Sequence, residues 1–122
     1  MEPVWLIADD FLFVVDAECP GLVLVRRDIL LSALDAAPMA FAYGGEQDVL
    51  VLAGIYAQRV AKAHAFVDGN KRTALIAATT FLEINGVSLS ADPEKAASVI
   101  GRLASGSAKP VDFAQLFRSR ED

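Results

Sequence analysis

Apolar positions recur along this chain mostly at helical spacing, and runs of β-branched residues are short. Pro3 can open a first helix toward Ala17, with Trp5, Leu6, Leu12, Phe13 and Val15 supplying apolar surface, and Cys19-Pro20-Gly21 ends it. The run Leu22–Val25 is too short to assign as strand or helix. A second helix is expected over 28–37, capped by Asp28 and stopped by Pro38. Residues 38–46 read as a loop or small hairpin, because Gly44-Gly45 permits positive φ. A third helix, 46–63, places Val49, Leu52, Ala53, Tyr56 and Val60 on one face. The fourth, 70–85, stops at Asn85-Gly86, and the nonpolar run Ala74–Ala78 predicts that it is the buried central helix. Asp92-Pro93-Glu94 opens a fifth in cap-then-proline order, and a last helix covers 111–119. With no repeat, linker or low-complexity segment in view, the expected fold is a single all-α domain over 1–122, a small helical bundle with a flap near 38–46.

Composition narrows the function classes. At 122 residues with 54% hydrophobic residues and a mean hydropathy of +0.39, the chain has the material for a core, and intrinsic disorder is excluded. The uncharged run 73–82 is ten residues, about half of the roughly 20 that a membrane-spanning helix needs. The acidic start Met1-Glu2-Pro3 lacks a signal-peptide pattern, and a lone Cys19 excludes an internal disulfide, so a cytoplasmic protein is expected. The net charge of −5 argues against direct nucleic-acid binding. That charge is unevenly spread: residues 1–56 carry nine acids and two bases, residues 57–122 nine bases and seven acids. Arg59, Lys62, Lys71 and Arg72 cluster closely, which points to an anionic ligand or, more plainly, a solvated helix face.

The chemistry concentrates in His64-Ala65-Phe66-Val67-Asp68-Gly69-Asn70-Lys71-Arg72. A loop that ends in glycine and opens a helix aims the unpaired amides of its first turn at one spot, where the helix dipole favours an anion. Lys71 adds a point charge and Arg72 a fork that fits two phosphate oxygens. Gly69 allows close backbone approach, and Asp68 can hold Mg²⁺, a hard, oxygen-seeking cation. Histidine is suited to taking a proton from an attacking hydroxyl, and Phe66 is the member best placed to turn inward as a loop anchor. Singly, each residue has a bland reading as cap, turn or solvated face. Together, six polar or glycine identities within nine residues are hard to explain as packing.

This segment resembles the signature of the Fic/Doc family, H-x-F-x-[D/E]-[G/A]-N-[G/K]-R, most closely in its death-on-curing branch of toxins from toxin–antitoxin pairs. Arg27–Leu34 with Pro38 and Ala42-Tyr43 is similar to the stretch leading to that branch's substrate flap, and Thr73–Leu75 with Phe81–Gly86 to its central helix. The resemblance implies an ATP- and Mg²⁺-dependent transferase. His64 would be the general base and Asp68 the metal ligand. The amides at Gly69, Asn70 and Lys71, with the Asn70 side chain, would cradle phosphate, and Arg72 would contact it. Lys62 matches a basic position near the nucleotide, with a solvated helix face as its alternative. The flap residues Ala42, Tyr43, Gly44 and Gly45 would hold a target segment by strand-like pairing. Lys71 where adenylyl-transferring members carry glycine, and Leu75 where they carry a second arginine, favour phosphoryl transfer to a protein hydroxyl, with translation elongation factor Tu as the branch's type of target. The alternatives are adenylyl transfer and a catalytically silent interaction protein. A family self-inhibitory pattern of Ser/Thr and Glu followed by Gly or Asn is absent, so restraint is expected from an antitoxin helix in an apolar groove beside the flap.

Overall fold

In the computed structural model, residues 1–88 and 92–118 are described. They form six α-helices: α1 (Ala8–Glu18), α2 (Arg27–Gly44), α3 (Val49–Ala63), α4 (Asn70–Ile84), α5 (Pro93–Ser105) and α6 (Pro110–Arg118). The architecture is all-α, as the apolar spacing predicts. Only an isolated antiparallel bridge, Leu24 to Phe66, departs from helix and coil among the described residues. The final residue of the expected last helix, Ser119, lies outside the described residues.

Small side chains set the centre. Ala53, Gly54, Ala57 and Ala61 on α3 and Ala74, Ala77 and Ala78 on α4 are buried, which lets these two helices approach closely. A Cβ on Gly54 would stand 2.5 Å from the Pro110 carbonyl oxygen, so α6 packs directly on that glycine. Phe11, Tyr56, Phe81 and Phe113 fill the remaining volume, fully buried. Tyr56 keeps a polar contact there: its hydroxyl oxygen accepts the Leu6 amide at 3.2 Å, and burial pushes its pKa up to about 12.

Three local expectations are corrected by tertiary contacts. The first helix begins at Ala8 rather than Pro3, because the backbone before it has partners elsewhere. Asn85 accepts the Val4 amide at 2.8 Å and donates to the Val4 and Phe81 carbonyls, while Trp5 stacks on Phe81 at 5.9 Å. Trp5 is thus a packing residue. Residues 38–44, expected as loop or hairpin, continue α2 straight through Pro38. An interior proline costs about 3 kcal/mol, whereas burying one large apolar side chain returns about 1.5–3 kcal/mol. Beyond Pro38, Phe41 packs edge-on to Trp5 at 5.6 Å, and Ala37 just before it is fully buried. Gly44-Gly45 then serves as a helix end: Gly45 takes φ 73°, and the Glu46 amide that follows donates to the Ala40 carbonyl at 3.1 Å. Finally, Asp28 lies inside the first turn of α2, and the side-chain cap of α3 is Asp48, which accepts the Leu50 amide at 2.9 Å and pairs with Arg118.

Candidate functional site

The nine-residue segment joins the end of α3 to the start of α4, and three backbone devices fix its path. His64 closes α3 in the left-handed region at φ 49°, ψ 43°, a conformation that turns the chain sharply and that non-glycine residues seldom adopt. Next, Ala65 and Val67 pair with the run Leu22–Arg26. The Ala65 carbonyl accepts the Val25 amide at 2.8 Å and the Arg26 amide at 3.1 Å, and the Val67 amide donates to Val23 at 2.9 Å. The short run whose state the sequence leaves open is therefore the strand partner of the loop. Phe66 lies directly opposite Leu24 and is buried, the anchor its apolar character predicts.

The third device is Asn70. Its Oδ1 accepts the Phe66 amide at 3.1 Å and its Nδ2 donates to the Phe66 carbonyl at 3.0 Å. In antiparallel pairing the backbone groups of Phe66 face away from the Val23–Val25 segment, so the carboxamide takes the place of a second pairing segment. The Asn70 side chain, which the family resemblance assigns to phosphate, thus braces the loop at both polar ends, with one Nδ2 hydrogen left over at the cleft. The Gly69 amide is likewise engaged, donating to Asp68 Oδ1 at 2.8 Å.

What remains open is a compact set. The first ladder bond of α4 runs from Thr73 to Gly69, so the amides of Asn70, Lys71 and Arg72 precede it. They face a cleft of about 520 Å³ lined by His64, Asp68, Lys71 and Arg72, with Leu22, Val67, Ala61 of α3 and Ala104 of α5 as apolar walls. The His64, Asp68, Lys71 and Arg72 side chains are exposed, and the Arg72 guanidinium also reaches Cys19 Sγ at 3.9 Å. Leu22 lies beneath Gly69, where a Cβ would meet its methyls at 3.0 Å while φ is +75°. We therefore expect Gly69→Ala to lower the thermal stability by about 1–2 kcal/mol through left-handed strain and crowding, measured as a drop in chemical denaturation midpoint. An unchanged midpoint would mean that the loop conformation is not required.

Two groups of sequence candidates lie elsewhere. Lys62 joins Arg59 in a separate groove between α2 and α3, lined by Ile29, Ser32 and Ala33, so it is not gathered with the cleft. Ala42, Tyr43, Gly44 and Gly45 are exposed at the end of α2, beside a groove formed with Ser32, Met39 and Arg59. Residues 42–44 are helical and present no strand edge in this conformation, and Gly45 caps the helix. Conversely, Leu22, Ala61 and Ala104 line the cleft without any local sequence signal; they come from the α1–α2 connection, α3 and α5.

Comparison with known proteins agrees with the position of this loop. A sequence model of the Fic/DOC family matches residues 24–82. The chain is 49% identical over 74 residues to Toxin Doc of Mycolicibacterium smegmatis, a match covering 59% of this chain and 57% of that protein. It is 40% identical over 60 residues to Protein kinase doc of Escherichia phage P1, covering 49% and 48% respectively. The matched segment spans about half the length of these curated relatives.

Proposed function

We propose, from the premise that residues 24–82 belong to the Fic/DOC family, that the chain transfers the γ-phosphoryl group of ATP to a hydroxyl of a protein target. In this reading it is the toxin of a type II toxin–antitoxin pair in the bacterial cytoplasm and arrests translation, with elongation factor Tu as the target. The observation that carries it is the single cleft in which His64, Asp68, Lys71, Arg72 and three open helix amides converge. The names of the relatives, a toxin and a protein kinase, point the same way.

The amides of Asn70, Lys71 and Arg72 bind the phosphates at the positive end of α4, and Lys71 and Arg72 neutralise them. His64 takes the proton from the target hydroxyl as its oxygen bonds the γ-phosphorus; the bond from that phosphorus to the β–γ bridging oxygen breaks and ADP leaves. Asp68 suits Mg²⁺ through its second oxygen, Oδ1 being held by Gly69. Among the described residues no three His, Cys, Asp or Glu gather as a cage, and Mg²⁺ characteristically combines one or two carboxylates with substrate phosphates and water. The ion would supply charge neutralisation on the phosphates.

Adenylyl transfer is the second reading. Leu75 bears on the choice: it packs against the core, so its position gives no cation for a deeply seated γ-phosphate. Lys71 occupies space beside the open amides. The nucleotide then presents its γ end to His64. In this reading the antitoxin helix lies in the α2–α3 groove, where Ile29, Ala33 and Met39 offer apolar contact and Arg59 and Lys62, against Asp35, favour an acidic, amphipathic helix. With Mg²⁺, a bacterial extract and ATP labelled at the γ or the α position, label is expected to reach protein from the γ position only. Label from the α position alone overturns phosphoryl transfer in favour of adenylyl transfer. Adding the product of the neighbouring gene in the operon is expected to reduce transfer to background, and undiminished transfer would reject the antitoxin assignment.

A further inference from the structure

We infer that the cleft holds its nucleotide by the phosphates and does not read the base, so that purine and pyrimidine nucleoside triphosphates are accepted alike. The inference rests on the nucleotide-dependent reading above and deepens it. Among the described residues, every polar side chain lining the cleft belongs to the arc from His64 to Arg72, which is the phosphate end. The rest of the lining is hydrocarbon: Leu22, which packs under Gly69, the buried Ala61, and the half-buried Ala104 of α5. Apart from the three open amides of α4, the backbone donors of Leu22, Val67 and Phe66 are engaged. Leu22 donates to Cys19, Val67 to Val23, and Phe66 is closed on both sides by Asn70.

Telling adenine from guanine requires a donor or acceptor matched to the base edge. A site built that way rejects the wrong partner by about 10⁴–10⁵, whereas apolar contact discriminates only by about 10–200-fold per methylene. The half-buried side chains of Leu22 and Ala104 offer hydrocarbon that suits any base face, and every base has one. The base therefore contributes contact area, and the open amides with Lys71 and Arg72 contribute the selectivity for a polyphosphate.

The test is calorimetric titration of the full chain with ATP, GTP, CTP, UTP and inorganic tripolyphosphate, each with Mg²⁺. The four nucleotides are expected to bind within about tenfold of one another, with tripolyphosphate retaining measurable affinity. One nucleotide binding more than about 100-fold tighter than the rest overturns the inference and leaves the nucleotide reading standing. Failure of all five to bind overturns both. Ala104→Gln places an amide on the apolar wall and is expected to spread the four nucleotide affinities while leaving tripolyphosphate unchanged. If tripolyphosphate shifts as much as ATP, the base does not lie against that wall and the inference fails.

Discussion

His64→Ala is expected to lower phosphoryl transfer to protein by about 10²–10⁴-fold, the usual consequence of losing a general base, with helical content retained. The side chain is exposed at the rim of the cleft, so truncation opens no cavity in the core. Its backbone does matter: φ is 49°, and alanine at such a position carries left-handed strain of about 1–2 kcal/mol. His64→Asn separates the two effects, since asparagine tolerates this conformation and lacks a comparable base. Both variants are expected to lose transfer, and His64→Asn to keep the wild-type denaturation midpoint. A folded His64→Asn protein transferring label at the wild-type rate would remove His64 from the chemistry. Growth on expression without antitoxin gives the cellular counterpart: both variants are expected to be tolerated.

The parts of this fold that are legible from sequence are those whose signals are local. Helix α4 starts at a glycine with φ 75° and ends at Asn85-Gly86, and Asp92-Pro93 opens α5 with a side-chain cap to the Glu94 amide. Helical spacing alone is enough for the all-α class. Segments whose partners are distant in the chain behave differently. Asn85 binds Val4 across 81 positions and keeps the first residues extended, although Pro3 is a good helix opener. Pro38 is a sound stop signal by propensity, yet Phe41 and Trp5 make continuation the better packed state. The nine-residue segment shows the same division. Its identities announce an anion site, and the cleft does gather His64, Asp68, Lys71 and Arg72. The division of labour within it is not legible, because it depends on which backbone groups the turn leaves unpaired. Lys62 is only two residues from His64 but faces another groove, since neighbours that close point to different sides of a helix.

Asn70 is where these two levels meet, and Asn70→Ala is expected to cost more in turnover than in nucleotide affinity. The carboxamide makes two hydrogen bonds to Phe66, each worth about 0.5–1.5 kcal/mol net. Their loss is expected to lower stability by about 1–3 kcal/mol and to free the loop between His64 and Gly69. The α4 amides survive the substitution, so the proposed phosphate site is expected to remain; the relation between His64 and that site is what loosens. Misplacing reacting groups by about 1 Å costs about 10² in rate, and kcat is expected to fall by that order while Kd for ATP changes by less than about fivefold. Hydrogen exchange provides the readout that distinguishes a brace from a ligand. The Phe66 amide, bonded to Asn70 Oδ1, is expected to lose protection in Asn70→Ala before nucleotide is added. If the side chain instead holds phosphate directly, Phe66 protection stays at the wild-type level and Kd rises in step with the loss of activity. Asn70→Asp refines the comparison: it can still accept the Phe66 amide but cannot donate to the Phe66 carbonyl. Protection of the Phe66 amide is then expected to persist while turnover still falls, because the carbonyl side of the loop is released and now faces a carboxylate.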